Sequence, residues 1–324
     1  MSDYLRSVIT RTNRVVKPKK ERSQNARYQL KWGLFFLMPW FIGLLAFRLL
    51  PIIFTFFLSF TDYNDTKEFS FDTINWIGLD NYIKLFNDPD LADALGVTFR
   101  FAIVAVPASL VVGLSLALLV NSKYLLIPSF FRTVLFLPNI IPTVAGVLVF
   151  QGVLNPQSGW LNMILKSFGI EGPRWLYDPD VAVVALNLVE LWGIGNFMLI
   201  YLIALQKVPS EIYEAAKLDG ANSVQSFYFI TIPMISPAMF YISIITTILS
   251  FQYFVVAMLL GGRNGDPQGS TLFFNLHFYR EAFVFNDMGY ASTLAIVLFS
   301  IVMALTALMF GFLQRGVYYT SPDA

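Results

Sequence analysis

Six long apolar runs separated by polar stretches dominate the chain, at 33–60, 97–120, 133–154, 181–205, 234–260 and 290–313. Each is long enough for the ~20 apolar residues a helix needs to cross a hydrocarbon core of ~30 Å. The pattern predicts an all-α polytopic membrane protein with six transmembrane helices. Pro39, Pro51, Pro107 and Pro142 fall inside these runs. They read as packing kinks, tolerated where neighbours satisfy the freed carbonyls. No inverted pair of interrupted spans, a mark of many secondary transporters, is visible.

Between the fourth and fifth runs lies a polar segment, 206–237, reading QKVPSEIYEAAKLDGANSVQSFYFITIPMISP. Ser210 after Pro209, with Glu211 next, predicts a helix start with Ser210 as N-cap. Glu211 through Leu218 are good helix formers, and Gly220 after Asp219 is a natural stop. Asn222 or Ser223 can cap a second short helix, expected to end before Pro233. The result is helix, sharp turn, helix, with the small pair Ala215 and Ala216 between Glu214 and Asp219. Small residues permit close approach of another surface, and fixed carboxylates can orient it. An ordinary amphipathic loop is the plainer alternative.

Composition narrows the class. The chain is 56% hydrophobic, 16% aromatic and 13% charged, with mean hydropathy +0.62, against ~25% charged in an average soluble domain. It has no cysteine and one histidine, His277. That argues against a disulfide framework, a histidine-based zinc site or a His-dependent triad, and no metal site is expected. No G-x-x-x-x-G-K-[ST] occurs, so there is no P-loop for ATP, and no cofactor is expected. An integral-membrane enzyme would need a cluster of nucleophile, base or metal ligands that the sequence does not offer.

Charge distribution sets the topology. Residues 1–31 carry Arg6, Arg11, Arg14, Lys17, Lys19, Lys20, Arg22, Arg27 and Lys31 against only Asp3 and Glu21. The run that follows is too long for a signal-peptide h-region and lacks a small-residue cleavage site. Beside a membrane span, such a tail reads as a positive-inside anchor rather than a nucleic-acid arm. The other loops on that side add Lys123, Arg132, Lys207, Lys217 and Arg315. The opposite loops hold Lys67, Lys84, Lys166, Arg174, Arg263 and Arg280. Fourteen cations against six place both termini, and the Glu214 loop, in the cytoplasm. The expected organisation is a basic tail (1–31), a first transmembrane helix (32–60) and an extracytoplasmic loop (61–96). A five-helix core (97–315) containing the 206–233 loop follows, and then a short cytoplasmic tail (316–324).

The ordered set Glu214-Ala215-Ala216, Asp219-Gly220-Ala221, Phe227 and Ile232-Pro233 resembles the coupling-loop (EAA) motif of ABC importer permeases. The surrounding chain is similar to their carbohydrate branch, the maltose, glycerol-phosphate and multiple-sugar transporters. Trp76 to Tyr82 resembles the family's G-L-x-N-Y element, and Asn155-Pro156, Gly159 and Asn162 its N-P-x-x-G-x-x-N segment. Trp175-Leu176 with Asp178-Pro179, Phe131-Arg132-Thr133 with Leu137-Pro138, and Gly289-Tyr290-Ala291-Ser292 also match. Residues 261–267 depart from the family's compact G-G-P. The resemblance covers roughly 33–315 and implies the type I ABC importer membrane-domain fold. It also implies a second permease subunit (a sister chain making a heterodimer), two cytoplasmic ATP-binding subunits, an extracytoplasmic solute-binding protein and a sugar substrate. ATPase coupling would fall to Glu214, Ala215, Ala216, Asp219, Gly220, Ala221, Phe227 and Pro233.

Charge at bilayer depth is costly and asks for a reason. Arg100, read as one turn into its span, and Arg48, nearer the outer half of the first, can snorkel to the headgroups. Glu190 lies deeper, in the fourth run, with Asn187 and, loosely, Gly193 and Asn196 near the same helical face. It reads either as polar glue between helices or as a wall of the translocation path. The resemblance places substrate contacts at Ser250, Gln252 and Tyr253 in the fifth run, and at Glu190, Trp192 and Asn196 in the fourth. The alternative function is a secondary, ion-coupled transporter using Glu190, which leaves the Glu214 loop unexplained.

Overall fold

The computed structural model describes residues 21–64 and 74–318. The first twenty residues, with six of the tail cations, the segment 65–73 with Lys67, and residues 319–324 lie outside the described residues. The described chain is helical, and its only strand-like pairings are isolated bridges, Thr61 to Trp76 and Asn64 to Asp287. It divides into two units, residues 1–54 and 55–324.

The described part of the first unit is one apolar helix, α1 (Glu21–Leu44), which passes through a π-helical turn (Leu45–Leu49) holding Arg48 into the start of α2 (Leu50–Leu58). The turn has a local cause. Pro51 offers no N–H and crowds the carbonyl four residues back, and the register widens so that Leu50 N–H reaches Leu45 O. The same device recurs in the second unit. The helix begun at Ser223 does not end before Pro233, as the proline suggests. It runs through a π turn (Phe227–Thr231), where Ile232 N–H bonds Phe227 O, into the fifth span. A π turn carries the helix past a proline that would otherwise stop it.

The second unit holds α3 (Asp80–Lys84), α4 (Pro89–Val120), α5 (Pro128–Phe136), α6 (Thr143–Val153), α7 (Trp160–Ser167), α8 (Pro179–Trp192) and α9 (Gly195–Gln206). It continues with α10 (Ser210–Leu218), α11 (Ser223–Ser226), α12 (Ile232–Phe251), α13 (Val255–Gly261), α14 (Phe274–Phe283) and α15 (Met288–Phe312). Four helical segments are long and apolar enough to cross a membrane: 26–58, 89–120, 223–251 and 288–316. The remaining two expected spans are bent pairs, α5 with α6 at 102° and α8 with α9 at 54°. Counting each pair as one span gives six. Pro142 therefore marks a full break rather than a kink, and it serves as N-cap residue of α6.

Helix α4 starts eight residues before its apolar run. Its 32 residues are about 48 Å long, well beyond the ~30 Å core, so hydropathy marks only the part a bilayer would cover. Asp88 caps it, accepting from Asp90 N–H at 3.0 Å, with Pro89 at the first helical position. Arg100 consequently lies three turns in rather than one, and its Nε donates to Gly96 O, one turn back towards the helix start.

Helix α4 is the spine of this unit, packing against α8, α9, α12 and α14. Two apolar clusters use different stretches of it. Ala94, Val97, Phe101 and Ala105 join Leu186, Val189, Tyr253, Phe273 and Leu276. Leu114, Ala117 and Val120 join Met198, Tyr201, Leu205, Ile235 and Ile242. Between them the helices leave a cavity.

Candidate functional site: a polar-walled cavity and an exposed helical pair

Three interruptions of helix converge on one cavity of about 570 Å³, within the ~300–1,000 Å³ typical of ligand pockets. The α5–α6 break brings Pro138, Asn139, Ile141, Thr143 and Gly146. The α8–α9 break brings Glu190, Trp192, Gly193, Asn196 and Phe197. The end of α12 and its break before α13 bring Thr246, Ser250, Gln252, Tyr253 and Phe254, while α4 supplies Phe101, Ala105 and Ser109. Non-helical backbone at membrane depth is tolerated where protein or a wet cavity satisfies it, and side-chain amides do part of that here. Asn275 Nδ2 donates to Gln252 O at 3.2 Å, and Asn139 Nδ2 to Phe136 O at 3.3 Å. The α8–α9 break depends on a close approach. A Cβ on Gly195 would stand 2.2 Å from Leu135 O, so only glycine lets α9 start against α5.

All six residues expected along the substrate path line this cavity: Glu190, Trp192, Asn196, Ser250, Gln252 and Tyr253. Their arrangement differs from helical spacing. The helix stops at Trp192, with Gly193 N–H bonding Glu190 O. Asn196 reaches the cavity through the bend, not by continuing one face. Asn187 is buried, donates to Val183 O at 3.0 Å and does not line the cavity. Ser250 is buried and its hydroxyl donates to Thr246 O at 2.7 Å, so it presents only a lone pair. Tyr253 is fixed by its ring, which stacks on Phe101 at 4.5 Å between centroids and tilts on Phe273 at 4.9 Å. Its hydroxyl is buried without a partner in hydrogen-bond geometry. Thr246 Oγ1 is buried and unpartnered too. The sequence reading missed Thr246, although Thr246, Ser250 and Tyr253 follow the i, i+4, i+7 spacing of one helix face.

The helical pair α10–α11 projects where α9 ends and α12 begins. Pro209, not Ser210, occupies the N-cap position of α10, with no side-chain capping bond. The preceding proline holds extended backbone, so the helix opens at Ser210 itself, one residue earlier than the Ser210 cap predicts. Its other end is a complete Schellman turn. Gly220, at φ +84°, donates to Lys217 O, and Ala221 N–H donates to Ala216 O at 2.9 Å. Asn222 and Gln225 then form a reciprocal capping box at 2.8 and 2.9 Å. Tyr213 hydroxyl and Thr231 Oγ1, 2.9 Å apart, tie α10 to the fifth span, and Phe227 packs against the Leu114–Ile235 cluster. Glu214, Ala215, Asp219 and Gly220 are exposed, while Ala216 and Ala221 are half-buried. Leu218 is 90% and Phe229 79% exposed. The pair is rigidly mounted yet presents apolar and acidic groups outwards.

At the start of α4, a polar knot joins four helices, α3, α4, α14 and α15. Asp88 accepts from Tyr290 hydroxyl at 2.5 Å and pairs with His277 Nε2 at 2.7 Å, Arg280 pairs with Asp90, and Lys84 pairs with Asp287 at 2.7 Å. Burial pushes the Asp88 carboxyl up, but Tyr290, His277 and the Asp90 amide outweigh it and hold the group below its ordinary value. Its stabilising contribution is present above the ordinary carboxylate range and is lost as pH falls through the lowered value. His277 thus has a structural partner. Among the described residues no group of three or more His, Cys, Asp or Glu could hold a metal.

Residues 105–317 match the family described as binding-protein-dependent transport system inner membrane component. A probable ABC transporter permease of Bacillus subtilis, YesP, is 33% identical over 305 residues, covering 94% of this chain and 97% of that one. The lactose transport system permease LacF of Rhizobium radiobacter is 34% identical over 294 residues, covering 89% and 96%. A crystal structure of a bacterial ABC transporter involved in import of the acidic polysaccharide alginate aligns with a TM-score of 0.74, at 21% identity. It covers 92% of this chain and 99% of that one, a likeness of fold. Such a family match argues against an ion-coupled secondary transporter built on Glu190. The chain is a multi-pass cell-membrane protein and belongs to the family of binding-protein-dependent ABC importer permeases.

Proposed function

We propose that this chain forms half of the translocation path of an ATP-driven importer of sugars or oligosaccharides, with six spans and both termini cytoplasmic. In this reading it pairs with a sister permease, rests on two ATPase subunits that carry all the hydrolysis, and receives solute from an extracytoplasmic binding protein. The observation that carries the proposal is the meeting of amides, hydroxyls, a carboxylate and aromatic faces in one cavity. These groups suit sugar hydroxyls and C–H patches. The lactose permease among its relatives supports the solute class, and the excess of cations on the N-terminal side supports the orientation.

The transport cycle follows from differential affinity. The loaded binding protein favours the outward-facing state. ATP-driven closure of the ATPases draws the two Glu214 loops together, and hydrolysis returns the cavity inwards. Glu214 and Asp219 orient the docked surface, Ala215, Ala216 and Ala221 allow its approach, and Gly220 sets the turn. Phe227 and Pro233 link the loop to the fifth span. The reading is tested in membrane vesicles holding the complete complex. Uptake of radiolabelled oligosaccharide should require ATP and the ATPase subunit and survive a protonophore. Uptake that persists without the ATPase and collapses with the ion gradient would overturn it.

A further inference from the structure

We propose that the cavity selects uncharged oligosaccharides over acidic ones, and that the Glu190 carboxylate is the selecting group. The inference rests on the importer reading above and narrows its substrate class. The relatives leave this open, since their names include transporters of a neutral sugar, lactose, and of an acidic polysaccharide, alginate.

The charge inventory of the cavity is one-sided. Glu190 is exposed to it, and among the described residues no Lys or Arg lines it. Every other polar group on the wall is neutral: Ser109, Asn139, Thr143, Asn196, Thr246, Gln252 and the hydroxyls of Ser250 and Tyr253. A solute bearing carboxylate, sulfonate or phosphate would leave water for a site with one like charge and no cation to compensate it. A neutral sugar meets no such penalty. Its hydroxyls can donate to Glu190 and to the Ser250 lone pair, and accept from the two buried hydroxyls that lack partners, Thr246 and Tyr253. Those two donors sit at 6% and 8% exposure on the wall. Two unsatisfied buried hydroxyls beside an accessible carboxylate make a set of donors and acceptors that a polyol completes and an anion does not.

The chain has no cysteine, so Thr143→Cys, exposed on the wall, is a single reporter of occupancy. In the permease assembled with its partners, N-ethylmaleimide labelling of this chain is followed by intact mass. The probes are maltotriose, raffinose, xylotriose and trigalacturonate. At least one neutral trisaccharide should slow labelling, with trigalacturonate at least about tenfold weaker. Glu190→Gln should close that gap, while Glu190→Asp preserves it. Equal protection by trigalacturonate in the parent, or a gap unchanged by Glu190→Gln, would overturn the inference. If no probe protects, the cavity is not a sugar site and the inference falls. ATP-dependent uptake by the same complex then shows separately whether the importer reading survives.

Discussion

Thr246 and Tyr253 each bury a hydroxyl that no protein group satisfies, and a buried unpaired hydroxyl costs about 1–3 kcal/mol. In a packing residue this would be a defect. On the wall of a solute cavity it is a donor held ready for a ligand. The two interpretations predict opposite signs. Thr246→Val and Tyr253→Phe should leave the thermal midpoint of the empty permease unchanged or raised, because each removes an unsatisfied group and keeps the shape. Solute protection of the cavity should weaken about five- to twentyfold in each, near 1–2 kcal/mol of lost interaction. A drop in stability with unchanged solute binding would show the hydroxyls to be structural. Ser250 is the contrasting case. Its hydrogen is already committed to Thr246 O, so it contributes only as an acceptor.

Among the elements, the breaks matter more than the spans. Apolar runs located the four long helices and the two bent pairs but not the bends, because hydropathy averages over a window and a bend of 54° between Trp192 and Gly195 leaves composition untouched. The same averaging hid the first eight residues of α4, where Asp90 and Asp93 interrupt the apolar pattern. The helix 223–251 passes Pro233 because a π turn absorbs it, a choice the proline itself does not announce. By contrast the Gly220 stop was legible and the second cap was narrowed to Asn222 or Ser223, since both are local chemistry: a left-handed glycine and, at Asn222, a reciprocal side-chain bond. Glu190 and its neighbours could be named as polar groups in apolar runs, whereas Thr246, a common residue in any helix, gave no compositional signal. Gly195 is the test of the break itself. Gly195→Ala would force a Cβ to 2.2 Å from Leu135 O, so it should destabilise the solubilised protein by about 1–3 kcal/mol or more. Gly311→Ala, in helix with open space around it, should be neutral or slightly stabilising. Equal midpoints for the two variants would mean that α9 does not need its close approach to α5.

For the molecule as a whole, the account joins two places on one chain: a cavity walled by three helix breaks, and an exposed helical pair mounted on the fifth span. Helix α12 connects them, since its N-terminal end carries Pro233 and packs near Phe227, and its C-terminal end carries Thr246 and Ser250. A push on α10–α11 therefore has a continuous helix through which to reach the cavity, and the Tyr213–Thr231 hydrogen bond secures its base. The most direct measurement is binding of the ATPase to the assembled permease pair in nanodiscs, comparing wild type with Glu214→Arg and Gly220→Pro. Glu214→Arg reverses an exposed charge, and Gly220→Pro cannot adopt the φ of +84° that the turn requires. The account predicts that both variants insert and assemble normally but lose ATPase association and solute-stimulated hydrolysis by tenfold or more on the order of 1.4 kcal/mol. Unchanged association and hydrolysis in both would contradict it and reduce the 210–226 segment to an ordinary connecting loop.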